Sequence, residues 1–154
     1  MSVSWSCKRF DQLSAELLYD ILHTRCSVFV LEQKCVWLEV DNLDKQCLHL
    51  IGTAPDNSIA AYVRLIPPQT KEKSQVLPVI SRVLTTAKHR GSGMGKQVMT
   101  RAIEECSQQW PGQTILINAQ AYLEPFYKSL GFVQTSEMYD EDGIMHMDME
   151  RKNI

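Results

Sequence analysis

The chain has 154 residues, with 16 Lys and Arg against 18 Asp and Glu, and so a formal charge of −2 with histidines neutral. Hydrophobic residues make up 44% and charged residues 22%, globular proportions that exclude a disordered or collagen-like chain; no apolar run approaches the roughly 18 residues that cross a bilayer. The near-neutral charge exerts no general pull on nucleic acid or an anionic membrane, and the basic residues form no stripe interleaved with aromatics.

Lys8 and Arg9 are not followed by an apolar block, so no secretory leader is expected. Cys7, Cys26, Cys35, Cys47 and Cys106 form an odd set with no C-x-x-C pair and no paired histidine spacing. That pattern points to reduced thiols in a cytoplasmic protein and away from a disulfide scaffold or a zinc site.

No repeat, low-complexity tract or long linker divides the chain, so residues 1–154 are expected to form one domain. Residues 3–10 predict a first strand. Asp11 or Ser14 then caps a helix that carries Leu13, Leu17, Leu18, Ile21, Leu22, Val28 and Phe29 on one broad face. Residues 32–46, with Trp37 and the acidic Glu39, Asp41 and Asp44, read as a loop with short helical pieces, of a length that is often functional in a compact domain. Residues 47–53 and 59–66 predict two strands joined by the turn Pro55-Asp56-Asn57-Ser58, and Pro67-Pro68 ends the second. Residues 76–86 are β-prone. Val98, Met99, Ala102, Ile103, Cys106 and Trp110 next recur at helical spacing until Pro111-Gly112. Residues 114–119 predict a short apolar strand, and 122–130 a short helix with Pro125 early and Gly131 just past its end. Residues 132–138 and 144–149 predict a last hairpin across Asp140-Glu141-Asp142-Gly143, since Asp-Gly favours hairpin turns. This order indicates an α/β or α+β domain with a mixed sheet of about six to seven strands flanked by helices.

The densest chemical signal is Lys88-His89-Arg90-Gly91-Ser92-Gly93-Met94-Gly95-Lys96, between a strand and an amphipathic helix. Glycines let main-chain N–H groups approach a ligand closely, and a helix N-terminus adds unpaired donors and a positive dipole end, which suits a phosphate. Arg90 and Lys96 add cations at the same end. A Walker A loop is excluded, because Arg90 stands where its first glycine is required and Gln97 follows Lys96. A G-x-G-x-x-G fingerprint is excluded as well, with Lys96 and Val98 at the places for the third glycine.

Arg90-x-x-Gly93-x-Gly95 resembles the acyl-coenzyme A pyrophosphate loop, R/Q-x-x-G-x-G/A, of the GNAT (Gcn5-related N-acetyltransferase) superfamily. Phe126-Tyr127-Lys128-Ser129-Leu130-Gly131-Phe132 resembles that superfamily's F-Y-x-x-x-G-F block, in the same order and spacing. Residues Arg25 to Gln33, Ala119-Gln120-Ala121 and Tyr139 to Ile144 are similar, more narrowly, to its ElaA branch. The resemblance implies the GNAT fold, in which two parallel strands, here 81–86 and 114–119, splay apart and admit the pantetheine arm of acetyl-coenzyme A as co-substrate. It implies main-chain bonds to pantetheine from Val83, Leu84 and Thr85, and a pyrophosphate held at Arg90, Gly91, Ser92, Gly93, Met94, Gly95 and Lys96. Gln120 stands where many relatives place a pantetheine-binding Asn, and its amide offers the same donors and acceptor on a longer stem.

The implied reaction moves an acetyl group to a primary amine, on a small molecule or a peptide, by direct attack. No metal, nucleic acid or membrane takes part, and the protein acts as a monomer or homodimer. Tyr127 would protonate the departing thiolate. The amine must lose a proton before it attacks, and Glu32, which follows the helix bordering the acceptor cleft, ranks first as its acceptor. Asp41, His49, Glu137 and His146 are chemically able as well.

Two other readings stay open. Arg25-x-x-Val28-Phe29, Trp37, Glu39-x-Asp41-x-x-Asp44, His49 and Arg64-Leu65-Ile66-Pro67 resemble acyl-homoserine-lactone synthases, in which the acidic residues would contact S-adenosylmethionine; by charge pattern alone they read as a solvated acidic loop. A catalytically idle acyl-coenzyme A-binding domain would carry the same glycine loop. Metal ligation by Asp140, Asp142, His146 and Asp148 is conceivable, but a hairpin turn accounts for these residues better.

Overall fold

The computed structural model describes residues 2–153. Its strands are β1 (Ser4–Arg9), β2 (Leu48–Thr53), β3 (Ile59–Ile66), β4 (Val79–Thr85), β5 (Ile115–Gln120), β6 (Val133–Gln134), β7 (Tyr139–Glu141) and β8 (Ile144–Arg151), and its helices α1 (Ala15–Arg25), α2 (Met94–Gln109) and α3 (Glu124–Ser129). The strands form one sheet ordered β1-β2-β3-β4-β5-β8-β6, with β7 also on β8. Every neighbouring pair is antiparallel except β4 and β5. The expected mixed sheet is therefore present, with eight strands rather than six or seven. The extra strand arises in the tail, where β6 pairs with Met149 and Glu150 while β7 pairs with residues 144–146 of the same strand. The hairpin between β7 and β8 turns on Asp142 and Gly143 alone, both at positive φ (53° and 85°), as its twist requires.

Two layers cover the sheet. Ala61, Val63 and Leu65 of β3 pack with Val98, Met99, Ala102 and Cys106 of α2, whereas Tyr62 packs with Ile21 of α1 and with Val28, Phe29 and Ile51. Alternate side chains of one strand thus enter opposite cores, which is why all of β3 is buried.

α1 starts at Ser14, whose hydroxyl accepts from the Leu17 N–H at 3.1 Å, and continues as a π-helical turn over Cys26–Glu32. The single helix face expected through Phe29 is therefore split by a change of helix type, a feature found often at functional sites. The helix expected at 122–130 begins as a 3₁₀ turn, Ala121–Leu123, before α3.

β4 departs from regularity in its middle. Leu84 pairs with Tyr62 and Ser81 with Arg64, so three steps along β4 match two along β3, and the extra residue, Arg82, has a φ of 54°. The bulge reverses the alternation of side chains. Ile80 packs in the α2 core, yet Leu84, four residues on, packs in the α1 core. In an unbroken strand the two would share a face.

Candidate functional site

β4 and β5 pair only at Val79 and Leu116, supported by the Leu116 N–H donating to Pro78 O at 3.0 Å. Beyond that point they diverge, while β5 stays fully paired with β8 on its far side. The second half of β4 keeps its bonds to β3 through Leu84 and Thr85, and its edge toward β5 has no ladder. An extended ligand bearing amides can satisfy such an edge. A cleft of about 330 Å³ opens here, lined among others by Phe29, Trp37, Arg82, Val83, Gln120 and Tyr127.

The glycine loop stands at the end of β4. A 3₁₀ turn, Ala87–His89, leads into Arg90, and Gly91 and Gly93 have φ of 85° and 79° with no atom within 4 Å of where a Cβ would stand. The empty space shows that conformation, not crowding, demands glycine at these places. α2 begins at Gly93 with no side-chain cap, so its first N–H groups point outward unclaimed by any side chain. Met94 buries its side chain in the core, and Lys96 is exposed on the first turn. The Ser92 hydroxyl donates to His89 O at 3.1 Å and braces the loop. These features fit a diphosphate: open main-chain donors, a helix dipole and flanking cations.

Arg90 is not directed at that socket. Its Nε and Nη2 donate to Thr85 O at 3.0 and 2.8 Å, and Nη2 lies 2.7 Å from Glu32 Oε1. Glu32, expected beside the acceptor amine, is instead paired with Arg90 at the start of the glycine loop and is not among the residues lining the cleft.

Tyr127 does line the cleft. The ring is held edge-on against Phe126 and Phe132, at 5.2 and 6.0 Å between centroids, and only 8% of the residue is exposed. Burial pushes its phenol up to about 12, so the hydroxyl keeps its proton at neutral pH. Gln120 also lines the cleft, and its Nε2 donates to Gln33 Oε1 at 3.3 Å. Val83 reaches the cleft, whereas the Leu84 side chain turns into the α1 core and the residue is paired with Tyr62 of β3.

The acidic loop is not solvated, contrary to its charge pattern. Glu39 and Asp44 are 4% and 5% exposed, and three arginines bind them. Arg25 donates to Glu39 Oε2 and Asp44 Oδ1, both at 2.7 Å; Arg64 donates to Asp41 Oδ1 and Oδ2 at 2.8 and 2.9 Å; Arg82 donates to Glu39 Oε2 at 2.8 Å and lies over the Trp37 ring. Desolvation, the largest influence on Asp44, pushes its carboxyl up, but the bonds and charges of Arg25 and Arg64 outweigh it and hold the group below its usual range. Sequence reasoning missed this because Arg25, Arg64 and Arg82 are far from the loop in the chain.

The other acid–base candidates separate cleanly. His49 is fully buried, with Nδ1 2.7 Å from the Tyr62 hydroxyl and Nε2 2.9 Å from Asp44 O, so both nitrogens are occupied away from the cleft. Glu137 is exposed and outside the cleft, Asp41 lines it but is bound by Arg64, and His146 lines it from β8. Among the described residues no cluster of three or more His, Cys, Asp or Glu could hold a metal ion, and no helix is long and apolar enough to cross a membrane.

Residues 30–153 match the acetyltransferase (GNAT) domain family. Protein ElaA of Escherichia coli is 36% identical over 155 residues, spanning 99% of this chain and 98% of its own. The ElaA crystal structure aligns over 97% of this chain and 99% of its own, with a TM-score of 0.89. An acyl-CoA N-acyltransferase from Pseudomonas aeruginosa is 38% identical and aligns over 97% and 99% of the two chains, with a TM-score of 0.90. The CoA-dependent acyl-homoserine lactone synthase BjaI, 16% identical, aligns over 99% of this chain and 84% of its own with a TM-score of 0.83, a likeness of fold alone. Sequence motif, open strand pair and glycine loop converge with these similarities on one ancestry: the chain belongs to the GNAT acyltransferase family, in its ElaA-like branch.

Proposed function

We propose that the protein transfers an acetyl group from acetyl-coenzyme A to a primary amine by direct attack. The observation that carries the reading is the unpaired gap between β4 and β5, with β4 leading into a glycine loop whose open main-chain donors would suit a diphosphate. In this reading the main chain of Val83, Leu84 and Thr85 and the amide of Gln120 bind the pantetheine arm. The N–H groups from Gly91 to Lys96 take the diphosphate, and Arg90 braces the loop through Thr85 O. Tyr127 presents a protonated phenol to the cleft and gives that proton to the departing sulfur. An acyl-homoserine-lactone-synthase chemistry draws less support: its ligand would need carboxylates that Arg25, Arg64 and Arg82 already hold.

The test has two parts. Calorimetry should show acetyl-coenzyme A binding to wild type and to Tyr127→Phe alike. A screen of primary amines that reads released thiol should then find an acceptor whose turnover the Phe variant lowers by roughly a hundredfold, within the usual range for a general acid. No binding overturns the reading. Binding without acylation of any amine, with Tyr127→Phe indistinguishable from wild type, points to the idle binding domain.

A further inference from the structure

His146 is 3% exposed, yet it lines the cleft, opposite Gln120 on β5 and Tyr139 on β7. Its Nδ1 lies 2.8 Å from Ile144 O. A carbonyl can only accept, so Nδ1 carries the hydrogen, and in the neutral ring the lone pair is at Nε2. The ring cannot easily turn. It stacks on Tyr139 at 6.1 Å and 18°, and the Tyr139 hydroxyl is tied to Asp148 Oδ1 at 2.7 Å, an oxygen that also accepts from Asn118 Nδ2 at 2.8 Å.

Nε2 lies 3.6 Å from Glu141 Oε2. With the ring neutral, these are two acceptors turned toward each other, beyond direct hydrogen-bond reach. Such a pair is relieved by a donor placed between them. Of the other carboxylates near the cleft, Asp41 has Arg64, Glu39 and Asp44 share Arg25, and Glu32 has Arg90, while Asp142, next to Glu141 in the turn, is without an ion pair among the described residues. Around His146 the titratable and charged groups are Glu141 and Tyr139 on β7, Asp142 in the turn and Tyr127 on α3, with Asp41, Arg64, Arg82 and Lys71 elsewhere on the cleft wall. Among the described residues no arginine or lysine pairs with Glu141.

We propose that Glu141 and His146 form the dock for the acceptor's ammonium group, with Glu141 holding the charge and His146 Nε2 taking the proton. The proposal rests on the acyl-transfer reading and adds to it both the proton acceptor and the cationic character of the acceptor. The ammonium gives one proton to Nε2, and the imidazolium formed is stabilised by Glu141. The freed lone pair forms the C–N bond to the thioester carbonyl. The C–S bond then breaks, its electron pair stays on sulfur, and sulfur takes the Tyr127 proton. The surplus proton on the new amide nitrogen returns through solvent to the Tyr127 oxygen, and His146 releases its own to solvent. One ammonium and one thioester give one amide, one thiol and one proton.

Three measurements test the dock. In ¹⁵N spectra of wild type, His146 should show hydrogen on Nδ1, and methylammonium should perturb its Nε2 resonance in wild type but not in Glu141→Gln. With acetyl-coenzyme A and the best acceptor among spermidine, tyramine, lysine and a free-amine peptide, His146→Gln should lower kcat/KM for the amine by about a hundredfold or more. It should also remove the acid limb of the pH–rate profile while acetyl-coenzyme A still binds. Glu141→Gln, at a half-exposed position, keeps the test open should His146→Gln fail to fold; it should raise KM for the amine more than it lowers kcat. A hydrogen on Nε2, or no response to methylammonium, overturns the dock whether or not any amine is acylated. Acylation with an unaltered acid limb in a folded His146→Gln overturns the dock and leaves the acyltransferase standing.

Discussion

At one end of the cleft, three arginines and three carboxylates clamp residues 33–46 against β3 and β4, with each guanidinium bonded to at least one carboxylate. At the other end, residues 87–96 carry two left-handed glycines surrounded by open space and a helix start without a side-chain cap. The first region binds its three guanidinium groups internally, with Asp44 Oδ2 the one carboxylate oxygen there that is buried without a hydrogen-bond partner among the described residues. The second leaves its donors to water, and so gains most when an anion arrives. A rigid wall and an unclaimed main chain are what the proposed transfer would need, the one to hold the cleft in shape around a small nucleophile and the other to accept a long, flexible carrier.

The contrast breaks first at Arg25. It is fully buried and bonds Glu39 Oε2, Glu39 O and Asp44 Oδ1, so Arg25→Met leaves two buried carboxylates short of a partner. Removing one member of a buried ion cluster costs about 3–5 kcal/mol, and for a chain of this size that lowers Tm by on the order of 10 °C. Thermal and denaturant unfolding measure it. A shift of one or two degrees would mean that the clamp is an ordinary surface cluster and the comparison has no force.

A smaller effect is expected in the loop. Gly93→Ala places a side chain at a φ of 79°, which costs about 1–2 kcal/mol and should weaken acetyl-coenzyme A binding by roughly tenfold through the displaced N–H groups. Gly95 differs: a Cβ there meets only Phe126 Cζ, at 3.8 Å, an ordinary contact. Gly95→Ala should therefore bind as wild type does. Calorimetry on both variants gives the result, and equal losses would show that flexibility, not a fixed left-handed turn, is what the loop supplies.

Legibility in the sequence followed the range of the interactions. The glycine turn, the Asp142-Gly143 hairpin and the Ser14 cap are local, and their residues announce them. Strands β1 to β5 and α2 follow from periodicity, whereas the tail expected as one strand over 132–138 is a two-residue β6 and a separate β7 over Tyr139–Glu141. Three features depended on partners distant in the chain. The bulge at Arg82 needs the β3 register to be seen, the acidic loop needs Arg25, Arg64 and Arg82 to be neutralised, and the pairing of Glu32 with Arg90 joins a π-helical turn to a loop 58 residues later. The same holds for His146, whose tautomer and access follow from Ile144 O, Tyr139 and the course of β8 rather than from any local motif.

The gentlest probe of the two regions is acid. Burial, the largest influence on Asp41 and Asp44, raises both carboxyls, but Arg64 and Arg25 outweigh it and hold them below the ordinary 3.8. The unfolded chain therefore binds these protons at a higher pH than the folded one. The stability they contribute is present above about pH 4 and drains away as pH falls through the lowered folded values. His49 acts in the same direction from a higher starting point. Burial keeps its ring neutral and its pKa below 6.5, so the unfolded state takes up a proton first, and stability begins to decline as pH drops past about 6.5. Trp37, whose Nε1 donates to Glu39 Oε1 at 2.9 Å, reports on this wall. In a Trp5→Phe, Trp110→Phe background its emission should shift between about pH 6 and pH 3. Lys88→Ala, which breaks the exposed pair with Asp56 beside the glycine loop, should leave that transition unmoved, since exposed pairs add little. If the Lys88 variant moves the transition as far as acid-induced loss of the clamp does, the two regions are electrostatically one, and the division between a clamped wall and a waiting loop fails.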